Sequence, residues 1–421
     1  MDIEFQEYDL KNGLHVILHQ ESDVPIVSVN LWYRVGSRNE RPGKTGFAHL
    51  FEHMMFQGSQ HIPPEMHFQL IQSVGGTLNG STFFDRTNYY ETLPSHYLEM
   101  GLWLESDRMG YLLPALNEEK FRTQLEVVKN ERRQRYENQP YGLWLEKILE
   151  LAFEPDYPYH WPVIGYMADL ENATLQDIKD FFRTYYAPNN ASLAISGDFD
   201  IDRARELIDL YFSPIPPYKK IPKISARFTQ YNSGEKKAMV KDNVHLPRMH
   251  WAYHLPGIGS DAIYPADIIA GLFNGGKSSR LYQKLIYQKQ MVQDIQTFIL
   301  PMSDTSLLFI VATPRPEVKI DTLQKTIEDE IQRIQQEKVP YVELERVKNQ
   351  IIAHKIRDLQ SVSVRADMLN MFHTYFKDTE RLNRDIDFYL RVDQETILQT
   401  ARQYLNPENR VNVVFVPETN R

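Results

Sequence analysis

Gln176–Asn190 reads QDIKDFFRTYYAPNN and runs on into ASLAISGDF, while Glu395–Asn409 reads ETILQTARQYLNPEN and runs on, past Arg410, into VNVVFVP. Each stretch is an amphipathic helix pattern, then an aromatic residue or leucine, a Pro, an Asn and an apolar strand pattern. The two begin 219 residues apart (176 against 395), about half of the 421-residue chain. The beginnings of the halves match as well. LHVILHQESDVPIVSVNLWYRVG and AMVKDNVHLPRMHWAYHLPG both read as paired strands ahead of a helix. Between the halves lies SPIPPYKKIPKIS, rich in Pro and Lys and without periodicity, which reads as a linker. The pattern predicts an α+β protein of two homologous domains, each a largely antiparallel sheet with helices packed on one face. The expected division is residues 1–212, a linker at 213–225, and 226–421.

Composition narrows the class. A chain of 421 residues exceeds one ordinary core, and 42% hydrophobic with 24% charged residues is the balance of a soluble globular protein. A net charge of −9 argues against a nucleic-acid binder. There is no cysteine, so any metal must be held by His and carboxylate groups. No apolar run is long enough to span a membrane. The opening MDIEFQE is not a signal peptide. The expectation is a cytoplasmic protein, or a periplasmic one if an export segment has been removed.

Chemistry concentrates in His49-Leu50-Phe51-Glu52-His53. At about 100° per residue, His53 falls about 40° to one side of His49 and Glu52 about 60° to the other. The opposite face carries Phe47, Ala48, Leu50, Phe51, Met54 and Met55. Two imidazoles can hold a zinc ion, and a carboxylate beside them can take a proton from water; this ordering is the inverted zincin motif. A third ligand belongs on another buried arc. Asn117–Gln134 reads as a helix whose stripe is Phe121, Leu125 and Val128. Glu126 projects away from that stripe, whereas Glu131 projects onto it. A carboxylate there needs a cation. Zinc would serve, and so would an internal pair with Arg132, which shares the arc.

Taken together, these blocks resemble the pitrilysin, insulysin and mitochondrial-processing-peptidase family, most closely its short bacterial branch. The resemblance covers nearly the whole length and rests on GFAHLFEHMMFQGS, GGTLNGSTFFDRTNYYETLP, LWLESDRM, VVKNERRQ, YHWPVIGYMADLE and YYAPNN, which follow in that order between residues 46 and 190. It implies a zinc-dependent endopeptidase acting on extended or unfolded peptides in a closed chamber. One zinc would be held by His49, His53 and Glu131, with Glu52 as general base and no metal site in the second domain. The resemblance also gives Asn79 and Ser81 contacts with the substrate backbone. Many relatives carry a glutamate seven residues before the third ligand, where this chain has Gln124. Active one-chain and homodimeric relatives carry an Arg and a Tyr that reach the substrate from the second domain. Aligning on GGKSSRLYQKL places Ile286 and Gln293 there. The resemblance therefore implies a heterodimer, with a homologous second subunit supplying the clamp; an active homodimer and a catalytically silent, scaffold-like relative are the alternatives.

One further motif is set aside. Gly271–Ser278, GLFNGGKS, fits the phosphate-loop pattern, but ADIIAGLF ahead of it reads as a helix where a strand is required.

Overall fold

The computed structural model describes residues 2–218, 220–224 and 226–418. Two sheets are built in the same way. In the first, β1 (Gln6–Asp9), β2 (His15–Gln20), β3 (Ile26–Tyr33), β4 (Thr77–Thr82), β5 (Thr87–Pro94) and β6 (Ala191–Gly197) take the order β1-β2-β6-β3-β5-β4. In the second, β7 (Lys236–Asp242), β8 (Arg248–Pro256), β9 (Val292–Leu300), β10 (Thr305–Pro314) and β11 (Arg410–Pro417) take the order β7-β11-β8-β10-β9. Apart from β1 the topologies coincide. In each, the last strand slots in parallel to the first and antiparallel to the second, and the remaining pairs are antiparallel. The expected architecture of two homologous, largely antiparallel α/β halves is borne out.

The repeated Pro-x-Asn has a definite job. After the Leu175–Tyr185 helix, the Asn190 amide donates to Tyr185 O at 2.8 Å and to Arg34 O at 3.4 Å. After the Gln394–Tyr404 helix, the Asn409 amide donates to Tyr404 O and to His254 O, both at 2.8 Å. One buried side chain thus ties the helix end to the exit of β3 or β8, satisfying carbonyls that neither helix nor sheet can. The pairing also fixes equivalence between halves. Asn30 faces Ala194, four residues past Asn190, as His250 faces Val413, four past Asn409.

In space the chain divides into one unit of Met1–Arg133, Trp161–Ser225 and Ile356–Asn383 and another of Gln134–His160, Ala226–Lys355 and Arg384–Arg421. Against a cut at 213–225, two segments have changed sides. The reason lies in the sheets, whose inner strands β6 and β10 are buried along their whole length. A strand buried on both faces needs cover on both. In the first unit, the Val362–Met371 helix packs on the face of β3 and β6 that the other helices leave open. In the second, the Trp144–Ala152 helix packs on β8 and β11.

The helix Ile263–Asn274 runs through Gly271 and ends at Gly275, whose N–H returns to Gly271 O at 2.7 Å. The phosphate-loop pattern therefore follows a helix and not a strand. Among the described residues no helix is long and apolar enough to cross a membrane.

Candidate metal centre

The helix Phe47–Met54 begins abruptly because of Gly46 and Glu40. Gly46 stands at φ +82°, and a Cβ there would lie 2.5 Å from Ile164 O. Glycine has no side chain with which to cap the helix. The Glu40 carboxylate caps it instead, accepting from Gly46 N at 2.9 Å and Ala48 N at 2.7 Å. Phe47, Ala48, Leu50, Phe51 and Met54 are buried as the periodicity predicts, which leaves His49, Glu52 and His53 on the partly exposed arc.

The helix Glu118–Arg132 packs beside it, capped by Asn117 Oδ1 accepting from Lys120 N at 2.9 Å. Phe121, Leu125 and Val128 are buried. Glu126 points outward and pairs with Lys129 at 2.8 Å. Arg132 is buried and donates to Gly165 O at 2.7 Å. Glu131 Oε2 lies 3.8 Å from His49 Nε2 and 3.4 Å from His53 Nε2, and the three donor atoms fall within 4.8 Å of one another. Donors around one tetrahedral ion with bonds of ~2.0–2.1 Å stand about 3.3 Å apart. Two imidazoles and a carboxylate at this spacing fit zinc.

Glu52 faces the edge strand. Thr82 Oγ1 donates to Glu52 Oε2 at 2.6 Å. Burial pushes the Glu52 carboxyl above the usual carboxylate range, while the Thr82 hydrogen bond and the charges of His53 and Arg86 pull it back and Glu131 adds to the rise. Gly80 lies against the same side chain, since a Cβ there would come 3.2 Å from Glu52 Cγ and equally close to Phe56 and Tyr89. Thr82 and Gly80 were not singled out in the sequence. Strand alternation would have exposed them, because once one even-numbered residue of β4 faces Glu52, all do.

Asn79 and Ser81 occupy the alternate face of β4. The Ser81 hydroxyl donates to Asn88 Oδ1 at 2.7 Å. The exposed Asn79 carbonyl oxygen accepts the Gly80 N–H at 2.9 Å. At the turn Phe83 N pairs with Arg86 O at 2.8 Å, so Ser81 bonds inward to β5, while the main-chain groups of Gly80 and Thr82 point to the open edge. That Gly80 N–H is the one Asn79 covers.

Glu7, His15 and His373 also bring donor atoms within 4.8 Å of one another. Their geometry does not suit an ion. The two rings stack at 3.6 Å and 10°, and Arg34 sits 2.7 Å from His373 Nε2. Parallel rings cannot both aim an in-plane lone pair at one point.

Comparison with known proteins agrees with the geometry. The profile described as Insulinase (Peptidase family M16) matches residues 15–157, and that described as Peptidase M16 inactive domain matches 172–351. The zinc protease PqqE of Helicobacter pylori is 30% identical over 421 residues, covering 97% of this chain and 92% of that protein. The chain belongs to the M16 family of metallopeptidases. A zinc protease of Rickettsia bellii is 25% identical over 399 residues, covering 95% of this chain and 94% of its own. Among solved structures, a protease from Helicobacter pylori superposes with a TM-score of 0.94 at 29% identity, covering 99% of this chain and all of that one. The first half of the periplasmic protease PqqL from Escherichia coli shares the fold, with a TM-score of 0.77 at 18% identity over 99% of this chain and 92% of that one. The inactive-domain match begins beyond all four residues of the His49 and Glu131 helices that carry the site.

Proposed function

We propose that this chain is a zinc endopeptidase that cleaves extended or unfolded peptides. The observation that carries the reading is the convergence of His49, His53 and Glu131 on one point, with Glu52 beside them and hydrogen-bonded to an open sheet edge. Zinc held by those three groups supplies Lewis-acid polarisation and lowers the pKa of water towards about 7. Glu52 takes the proton of the attacking water as it adds to the peptide carbonyl and returns it to the departing amine. Burial, which raises the Glu52 carboxyl, suits it to both transfers. The peptide lies beside β4 as an added strand, contacting the Gly80 and Thr82 main chain. Asn79 and Ser81 contact it from the same strand, the Asn79 amide moving off the Gly80 N–H as the peptide arrives.

The working enzyme pairs this chain with a homologous subunit carrying the missing substrate clamp, which completes the chamber. Ile286 is partly buried against the core of the second unit, and Gln293 is exposed at the start of β9. An aliphatic side chain held against a core offers a substrate no donors. Robust peptide cleavage by the purified chain alone would defeat the paired arrangement without touching the metal site.

The metal site has its own test. Zinc analysis should give one ion per chain in the wild type and in Glu52→Gln, and little in Glu131→Gln. Peptidase activity should fall by about 10²–10⁴ in Glu52→Gln, the usual contribution of a general base. Full zinc occupancy in Glu131→Gln, or near-normal activity in Glu52→Gln, would overturn the assignment.

A further inference from the structure

The face of β4 turned away from Glu52 opens onto a polar pocket bounded by Ser81, Arg86, Asn88, Tyr90, Ser363 and Asp367. Every one of these residues belongs to the first unit. The two charged groups at its walls are in unlike condition. Asp367 Oδ1 accepts from Trp32 Nε1 at 2.9 Å, Asn30 Nδ2 at 3.0 Å and Asn88 Nδ2 at 3.2 Å, so three donors offset its charge. Arg86 has only neutral oxygens for hydrogen-bond partners among the described residues: Ser81 O and Asn88 Oδ1, each at 2.9 Å, and Ser81 Oγ. All three bonds leave from Nη1, and the guanidinium lies over the Trp32 ring, 5.2 Å from its centre. Arg86, a cation with no carboxylate among those hydrogen-bond partners, thus lines a pocket beside the open edge.

Strand addition gives this pocket an occupant. Paired residues on neighbouring strands place their side chains on the same face. A peptide residue opposite Gly80 or Thr82 turns its side chain towards Glu52 and the metal ligands. The residue opposite Ser81 turns its side chain to the other face, towards Arg86. Thr82 bonds to Glu52 and Gly80 leaves room only for that side chain and its neighbours, so the residue opposite Ser81 flanks the scissile bond.

We infer that this pocket is a specificity subsite for an acidic side chain, Glu or Asp, next to the cleaved bond, with Arg86 as the residue that selects it. A carboxylate matches the geometry of two guanidinium N–H groups, which a neutral amide cannot do. The inference rests on the strand-addition reading above. The test is chosen to separate the two: a peptide series identical except for Glu, Gln, Ala or Lys at the residues flanking the cleaved bond, with kcat/KM and the cleavage position read by mass spectrometry. The zinc-loaded protein is used, with its partner subunit if one co-purifies. Glu should exceed Gln by about tenfold at one flanking position, the size of one charge-assisted contact in a half-exposed site. Arg86→Gln should bring that ratio to about one. Because Arg86 also holds the Ser81 carbonyl, its loss can lower all rates together, and the Glu-to-Gln ratio is the readout that a purely structural role would not move. Ser363→Asp, which leaves Arg86 in place, should reduce the ratio and raise the rate for Lys. Cleavage of all peptides with equal rates for Glu and Gln, or a ratio that persists in Arg86→Gln, overturns the subsite. Failure to cleave any peptide condemns the peptidase reading instead.

Discussion

The two sheets share one topology and fill it differently. On the face of the first sheet that carries the site helix, the Phe47–Met54 segment presents His49, Glu52 and His53, and the corresponding helix of the second unit, Ile263–Asn274, buries Ile268, Ile269, Leu272 and Phe273. The opposite faces diverge as much. In the first unit Asn30, Asn88, Asp367 and Arg86 make a hydrogen-bonded polar layer with a pocket in it. In the second, His250, equivalent to Asn30, stacks on Trp144 at 5.3 Å, and Phe298 stacks on Phe309 at 5.1 Å. Shared features such as the Pro-x-Asn junction and the strand order keep the frame. The residues that break the symmetry mark the chemistry, and they break it on both faces beside the same edge strand, β4. A duplicated fold thus supplies its own control: whatever both halves keep is architecture, and whatever only one half has is a candidate for function.

Acid should strain both halves, but at different places. In the first unit burial lowers His67 and pushes His373 down to about 3, and neither ring stands on a sheet strand. In the second the affected rings, His250 and His254, stand on the central strand itself. Burial, with help from the nearby Arg248 for His250 and Lys236 for His254, pushes both imidazoles down to about 3. The equivalent positions of the first sheet are Asn30 and Arg34, which do not titrate in this range. An unfolded histidine titrates near 6.5. Between about 6.5 and 3 the unfolded chain therefore binds protons that the folded one refuses. Stability is full above 6.5 and lost as the pH falls, by up to about 1.4 kcal/mol per unit for each imidazole. From pH 7 to pH 5 the pair should cost the second unit up to about 4 kcal/mol. His250→Asn with His254→Asn should be less stable than wild type at pH 7 yet lose much less on acidification, read by denaturant unfolding at the two values. An unchanged loss would show that these rings are not the acid-sensitive element.

The shared junction should respond alike in both halves. Asn190→Ala strips partners from Tyr185 O and Arg34 O, and Asn409→Ala from Tyr404 O and His254 O. Each substitution leaves buried carbonyls unpaired and should cost about 1–3 kcal/mol. Asn409→Ala should cost slightly more, its second bond being 2.8 Å against 3.4 Å. Thermal unfolding of the two variants tests this. A large drop for one and none for the other would mean that the repeat in sequence is not a repeat in energetics.

These contrasts also explain what could be read from the chain beforehand. The duplication, the helix carrying His49 and the choice of Glu131 over Glu126 all follow from local period and burial, which a sequence carries residue by residue. The exchange of Gln134–His160 and Ile356–Asn383 between units does not. Nothing in the Val362–Met371 segment says which sheet it will cover, since that depends on which face the other helices leave open. Gly80, Thr82 and Arg86 were hidden for a related reason. Their roles depend on the register of β4 against β5 and on Asp367, more than 270 residues away in sequence. A one-residue slip would have exchanged the faces of every side chain on β4.

The smallest predicted effect is a control on the largest. Glu126 and Glu131 sit on one helix, five residues apart, and differ only in the direction they face. Glu126 reaches solvent and pairs with the partly buried Lys129, whose hydrogen bond holds its carboxyl below the usual range. A surface pair of this kind contributes little, because water and salt screen it. Glu126→Gln should change stability by less than about 0.5 kcal/mol and leave both zinc content and peptide cleavage at wild-type values. The same amide substitution at Glu131 should empty the site. If instead the Glu126 variant loses zinc and the Glu131 variant keeps it, the outward carboxylate is the ligand. The burial argument that chose between them would then be wrong, and so would the reading of the helix face that places the site.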